Sequence, residues 1–171
     1  MNQAHFHLLL NHAPIIGPAF GMAVLLAGFI FKSNHVKRAA LGIFVLSALL
    51  AIPAFLTGEG AEEIVEKLPG ANETLMETHE ELGEIFLWLI SALGIMAAIT
   101  FIVDLRLPQF SRWLYLLTLA VAMATMFVAK SVGTSGGEIR HTEIRSDFTP
   151  AATQQEGRDQ QNTGEGKEDN D

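Results

Sequence analysis

The sequence predicts an all-α protein: a four-helix transmembrane bundle with a short amphipathic helical segment in its outer loop and a disordered C-terminal tail. Three observations lead there. The 171-residue chain is 49% hydrophobic and its mean hydropathy is positive. Its apolar residues gather into four blocks, Pro14 to Phe31, Ala39 to Leu56, Ile85 to Val103 and Trp113 to Ala129. Each block has the ~17 to 20 residues that cross a ~30 Å hydrocarbon layer as a helix. Acidic and polar residues collect in the segment between the second and third blocks and in the tail, which together hold much of the formal charge of −8. The organisation expected is a membrane domain over 1–146, with spans at about 12–31, 38–56, 82–104 and 112–133 and an outer loop at 57–81, followed by a disordered acidic and polar tail at 147–171.

Span one opens on His5, His7, Asn11 and His12 and contains Pro14 and Pro18. Each proline removes a backbone donor and is expected to bend the helix, which membranes tolerate when neighbours re-satisfy the freed carbonyls. Gly17, Gly21 and Gly28 form a small-residue stripe that permits close helix approach, or room for a flat cofactor. The short basic turn to Arg38 makes spans one and two antiparallel neighbours, with His35 a solvated turn residue. Span two ends near Pro53. Beyond it, Ala61, Ile64, Val65 and Leu68 fall on one side of a short amphipathic helix and Glu62, Glu63, Glu66 and Lys67 largely on the other, a solvated face. Pro69 and Gly70 break that helix, and Asn72 is placed to cap the next one at Glu73. This helix carries His79 and runs into span three, which has no charge between Glu84 and Asp104. A tight loop with Pro108 leads to span four, which passes Lys130 and the glycines at 133, 136 and 137 before reaching His141. Lys130, near a span end, is expected to snorkel to the interface. After Phe148 almost nothing remains to bury, so the tail is expected to be disordered.

Composition also excludes. The chain has no cysteine, which removes disulfides, thiolate metal sites and covalent c-type haem. No basic face suggests nucleic acid. The N-terminus lacks a basic region and histidines interrupt the first block, so a cleavable signal peptide is not expected. Lys32, Lys37, Arg38, Arg106 and Arg112 flank one end of the spans; the positive-inside rule then puts both termini and the acidic loop outside, in a bacterial inner membrane crossed several times. No catalytic constellation is present: no phosphate-binding glycine loop and no Gly-x-Ser-x-Gly elbow.

Ligating side chains rarely crowd the end of a membrane-length segment, so the histidines set the functional expectation. On a ruler of ~1.5 Å per residue, His7, Glu62 and His79 each stand ~37 Å from the basic end, and His141 ~42 Å if helix continues through the glycines. Groups from all four spans thus reach one outer layer, with His12, Thr57 and Lys130 lower, at roughly 27 to 30 Å on the same ruler. Helical phase puts His7 and Asn11 nearer the glycine stripe than His5 and His12; a bend at Pro14 could turn His12 inward.

His7-x4-His12-x-Pro14, the Thr57-Gly58 pair, the lone His79 and Gly136-Gly137-x3-His141 resemble the signature of a family of small bacterial four-span membrane proteins of unknown function. The likeness covers about residues 5 to 141 and implies a fold and a shared histidine set rather than a reaction. Asn11 and Ala13 around His12, and the acidic run from Glu59 to Glu63, depart from the commoner pattern.

Three functions are compatible with these residues. The first is a membrane electron-transfer component holding b-type haem through His7 or His12 facing His79 or His141, with Gly136 and Gly137 giving clearance. It would need a redox protein partner. The second is a non-haem site for zinc, iron or copper built from His7, His79, His141, Glu62 and Glu63. The third is a structural accessory subunit whose histidines bind helix ends and lipid headgroups.

Overall fold

The computed structural model describes residues 2–146 and 148; the rest of the tail expected to be disordered, 147–171, lies outside the described residues. The chain forms α1 (Gln3–Leu10), α2 (His12–Ile30), α3 (Asn34–Leu56), α4 (Gly58–Val65), α5 (Glu73–Arg106), α6 (Pro108–Arg140) and a 3-10 turn at Thr142–Ile144. Among the described residues four rods are long and apolar enough to cross a membrane: Gln3–Ile30, Asn34–Val65, Glu73–Arg106 and Pro108–Arg140.

The helix ends follow from local chemistry. Pro14 has no N–H for the Leu10 carbonyl, so the ladder is interrupted at Asn11. Asn11 nevertheless keeps φ −60° and ψ −29°, and the rod continues with its phase intact. α3 passes into α4 at Thr57, whose hydroxyl donates to the Pro53 and Ala54 carbonyls at 2.9 and 3.0 Å. Asn72 caps α5 as its sequence position predicts, its Oδ1 accepting from Leu75 N at 3.2 Å. Pro108, at the start of α6, leaves only Leu107 between the two longest helices.

α2 packs on α3, α3 on α5, α5 on α6, and α6 returns to α2, which closes an antiparallel four-helix bundle. Leu25, Leu41, Phe44, Leu93 and Tyr115 fill one half of the core, and Phe86, Ile90, Ala129 and Val132 the half nearer the histidines. Glycines set the spacing: a Cβ at Gly21 would lie 2.5 Å from Phe44 Cε1, and one at Gly94 2.5 Å from Ala48 Cβ. The stripe on α2 therefore serves close helix approach. Gly21→Leu is expected to displace Phe44 at a cost of about 1–3 kcal/mol, read as a lower midpoint of thermal unfolding in detergent; an unchanged midpoint would mean that the helices can separate freely there.

Only 28–33% of each apolar window is buried inside the bundle, and Trp88, Trp113 and Phe127 are more than 70% exposed. An apolar coat of that extent suits lipid rather than water. Lys130 lies exposed near the histidine end of α6.

At the opposite, basic end the structure adds something the charges alone did not suggest. Arg38 and Asp104, which served in the sequence only as flanking charges, meet across α3 and α5 at 2.7 Å, with Asp104 buried. The Lys37 ammonium sits 4.9 Å from the Tyr115 ring centroid and 5.7 Å from that of Phe29.

Candidate functional site

The histidine end is built by α1, the α3–α4 junction, the first turns of α5 and the last turns of α6. His7 projects from α1 and places Nδ1 2.9 Å from the Ala54 carbonyl. A carbonyl only accepts, so Nδ1 carries the proton and Nε2 keeps a free lone pair. His79 places Nδ1 2.9 Å from Ser135 Oγ. That hydroxyl donates to the Val132 carbonyl at 3.1 Å. With its single proton spent there, Ser135 accepts from the ring, and His79 Nε2 is left with its lone pair as well.

His7 and His79 both belong to this end of the bundle. Both are half-buried. Each imidazole is thus fixed in ring orientation and tautomer by an oxygen behind it, the support that ligating histidines ordinarily receive. Asn11, one turn after His7 and on the same face, buries its Oδ1 without a hydrogen-bond partner.

Glycines make room for these rings. A Cβ at Gly136 would stand 2.8 Å from His79 Cε1, so the imidazole rests on the bare backbone of α6; a Cβ at Gly58 would stand 3.7 Å from His7 Cε1. The Gly137 position is closed by Ile144 Cδ1 at 3.1 Å. The clearance that the sequence suggested at Gly136 and Gly137 for a flat ligand is therefore occupied by His79 and Ile144.

The remaining candidates face elsewhere. His12 is exposed, because the intact phase through Asn11 keeps it on the side of the rod away from His7 and Pro14 does not turn it inward. α6 does run through its glycines to Arg140, but His141 then leaves helical geometry at φ −105° and ψ 88°. Its Nδ1 pairs with Glu143 Oε1 at 2.9 Å, and both side chains are more than half exposed. Arg145 folds back onto the Glu138 and Ile139 carbonyls at 2.7 and 3.1 Å, fixing this turn. Glu63 is exposed, whereas Glu62, expected on the solvated face, is half-buried. Among the described residues no three of His, Cys, Asp or Glu gather in a way that could hold a metal ion. The single outer layer thus divides into an inward pair, His7 and His79, and outward groups.

α4 extends the Asn34–Val65 rod beyond the apolar block that ends at Leu56, and its Glu62 shows what the acidic loop costs. Burial, then the neighbouring charges of Glu80, Glu66, Glu77 and Glu59, push its carboxyl above the ordinary carboxylate range. A raised value means that the folded chain binds protons more tightly than the unfolded one. Stability therefore falls as pH climbs through the ordinary carboxylate value, and the penalty is complete once pH exceeds the raised value. Glu62→Gln removes it: the variant is expected to melt above the parent at pH 7 and level with it at pH 4 or below. An equal gain at both pH values would assign the effect to packing instead.

Compared with protein-family models, curated proteins and solved structures, the chain gives no match.

Proposed function

We propose that this chain is a membrane electron-transfer component that binds b-type haem through Nε2 of His7 and Nε2 of His79. The observation that carries the reading is the inward pair itself: two imidazoles from different helices, each with Nδ1–H committed to an oxygen and Nε2 free. Two imidazoles match the number of protein ligands such a group takes, while the space beside Gly136 and Gly137 is filled by His79 and Ile144. A haem would take two ligands from the protein, and His7 and His79, carried on different helices of the bundle, would supply them. A bare zinc, iron or copper ion asks for more, and neither Glu62 nor Glu63 joins the pair to complete such a set.

Bound there, the haem would supply one-electron chemistry. The chain's own contribution is to hold the two rings. The Ala54 carbonyl and the Ser135 hydroxyl raise the basicity of the imidazoles they bind, and the apolar wall of Phe86 and Ile90 below the site limits water, which tunes a redox potential. The positive-inside rule supports an orientation with the basic end in the cytoplasm of a bacterial inner membrane and the histidines, with both termini, outside. A redox protein partner would approach from that side.

Optical spectra of the protein in mild detergent, oxidised and dithionite-reduced, test this together with metal analysis of the same sample. A sharp reduced α-band is expected, lost in His7→Ala and in His79→Ala and kept in His141→Ala. A colourless sample holding stoichiometric zinc, iron or copper would favour the non-haem reading, and one holding neither would leave the histidines as structural groups.

A further inference from the structure

We propose that the corner where α2, α3 and α6 meet at the basic end binds the phosphate of an anionic phospholipid, with the Lys37 ammonium as its central contact. The charges of this end ask for an anion from outside the chain. Lys32, Lys37 and Arg38 lie between the first two spans and Arg106 and Arg112 between the last two, against a single carboxylate, Asp104. Arg38 occupies that carboxylate at 2.7 Å. Helix ends add to the excess: α3 and α6 both begin here, neither has an acidic residue in its first turn, and a helix N-terminus is the positive end of its dipole.

At Lys37 this excess is built into the fold. The side chain is half-buried and, among the described residues, pairs with no carboxylate. Its stem passes over the backbone of α2 at Gly28, where a Cβ would stand 2.6 Å from Lys37 Cγ. The ammonium then rests 5.7 Å from the Phe29 ring centroid and 4.9 Å from that of Tyr115, two rings set edge to face with centroids 6.2 Å apart. Aromatic faces attract a cation and hold it in place, but they bring no negative charge to neutralise it. A lysine at a span end ordinarily extends its head to water; this one is fixed in a three-helix corner.

Depth selects the anion. Phe31 and Trp113, each 74% exposed, mark the aromatic belt at the edge of a bilayer. Phe29 and Tyr115 lie two residues, ~3 Å, to the hydrocarbon side of that belt. Phosphates of lipid headgroups are anchored beside the belt by their acyl chains, whereas inorganic phosphate stays in water. Basic pockets between membrane helices bind anionic headgroups, and a zwitterionic lipid would bring its own cation to an end already rich in them. Lys32, in the turn before α3, and Arg112, three residues before Tyr115, are exposed cations that flank the corner. The inference uses no part of the haem reading.

The test uses the full chain in detergent, titrated with phosphatidylglycerol and followed by native mass spectrometry and by the unfolding midpoint. One phosphatidylglycerol is expected to bind saturably and to raise the midpoint, while phosphatidylcholine at the same mole fraction and free glycerol phosphate do neither. Lys37→Met keeps the stem and should weaken binding about tenfold through loss of a charge-assisted bond, whereas Lys37→Arg should stay within about threefold of the parent. Arg112→Gln should cost about fivefold, and it keeps the test open if Lys37→Met is not recovered folded. Arg106→Gln, on α5 diagonally across the bundle from α2, controls for diffuse attraction and should cost less than about twofold. Parental affinity in Lys37→Met or Arg112→Gln, a loss in Arg106→Gln equal to theirs, or equal binding of phosphatidylcholine would overturn the proposal. Competition by glycerol phosphate would overturn the lipid as its source and assign the corner to a free phosphate.

Discussion

Gly136→Val is expected to take His79 out of the site and, on the haem proposal, to reduce occupancy to less than a tenth of the parent's. The first added carbon would lie 2.8 Å from His79 Cε1 and 3.3 Å from both ring nitrogens, and a β-branched side chain cannot turn its bulk away from the facing helix. The backbone of a continuous helix will not yield, so the ring must. Leaving its seat, His79 loses the hydrogen bond to Ser135, and with it the tautomer that keeps Nε2 available. Valine has the better helix propensity by a few tenths of a kcal/mol, while overpacking costs about 1–3 kcal/mol; the clash wins. Two measurements follow: the reduced α-band for occupancy, and the unfolding midpoint, which should fall even if no haem is present. Gly136→Ala should give a smaller loss in both. Parental values of both in Gly136→Val would mean that His79 does not rest on α6.

The bundle was legible in the sequence because its determinants are local. Four apolar blocks of span length, basic turns at one end and the Asn72 cap need no knowledge of neighbours. The height of the histidines along the spans was readable for the same reason, since a helix has a fixed rise. Which way each histidine points was only half legible. Phase correctly placed His7 on the bundle side and His12 off it, but whether Pro14 would turn His12 inward depended on the backbone at Asn11, which stays helical. His141 was assigned to the layer by height, yet α6 ends one residue earlier and the turn beyond it carries the ring outward. Gly136 and Gly137 signalled a close approach without saying of what. Nothing in the spacing announced that Ser135 would hold His79, because that contact joins residues 56 apart through the register of α5 on α6.

The same blindness to register hid the Arg38–Asp104 pair, and the largest loss of stability is expected there. Asp104 keeps 2% of its side-chain surface and Arg38 28%. Removing one partner of a buried pair costs about 3–5 kcal/mol, because the other charge is left without compensation. Arg38 is long and partly open, so after Asp104→Ala its guanidinium can still reach toward headgroups, which places the loss near the lower end, about 3 kcal/mol. For a chain of this size that is a fall of about 6–12 °C in the unfolding midpoint. Asp104→Asn keeps the shape and an acceptor for Arg38 Nε, and should lose less than half as much. The double variant Asp104→Ala/Arg38→Ala separates the pair from simple packing: with both charges gone no ion is stranded, so it should be more stable than Asp104→Ala alone. Added salt should barely shift the difference, since a pair this enclosed is little screened. A double variant whose loss equals the sum of the two single losses would show that the two residues act independently and that α3 and α5 are not joined by this charge.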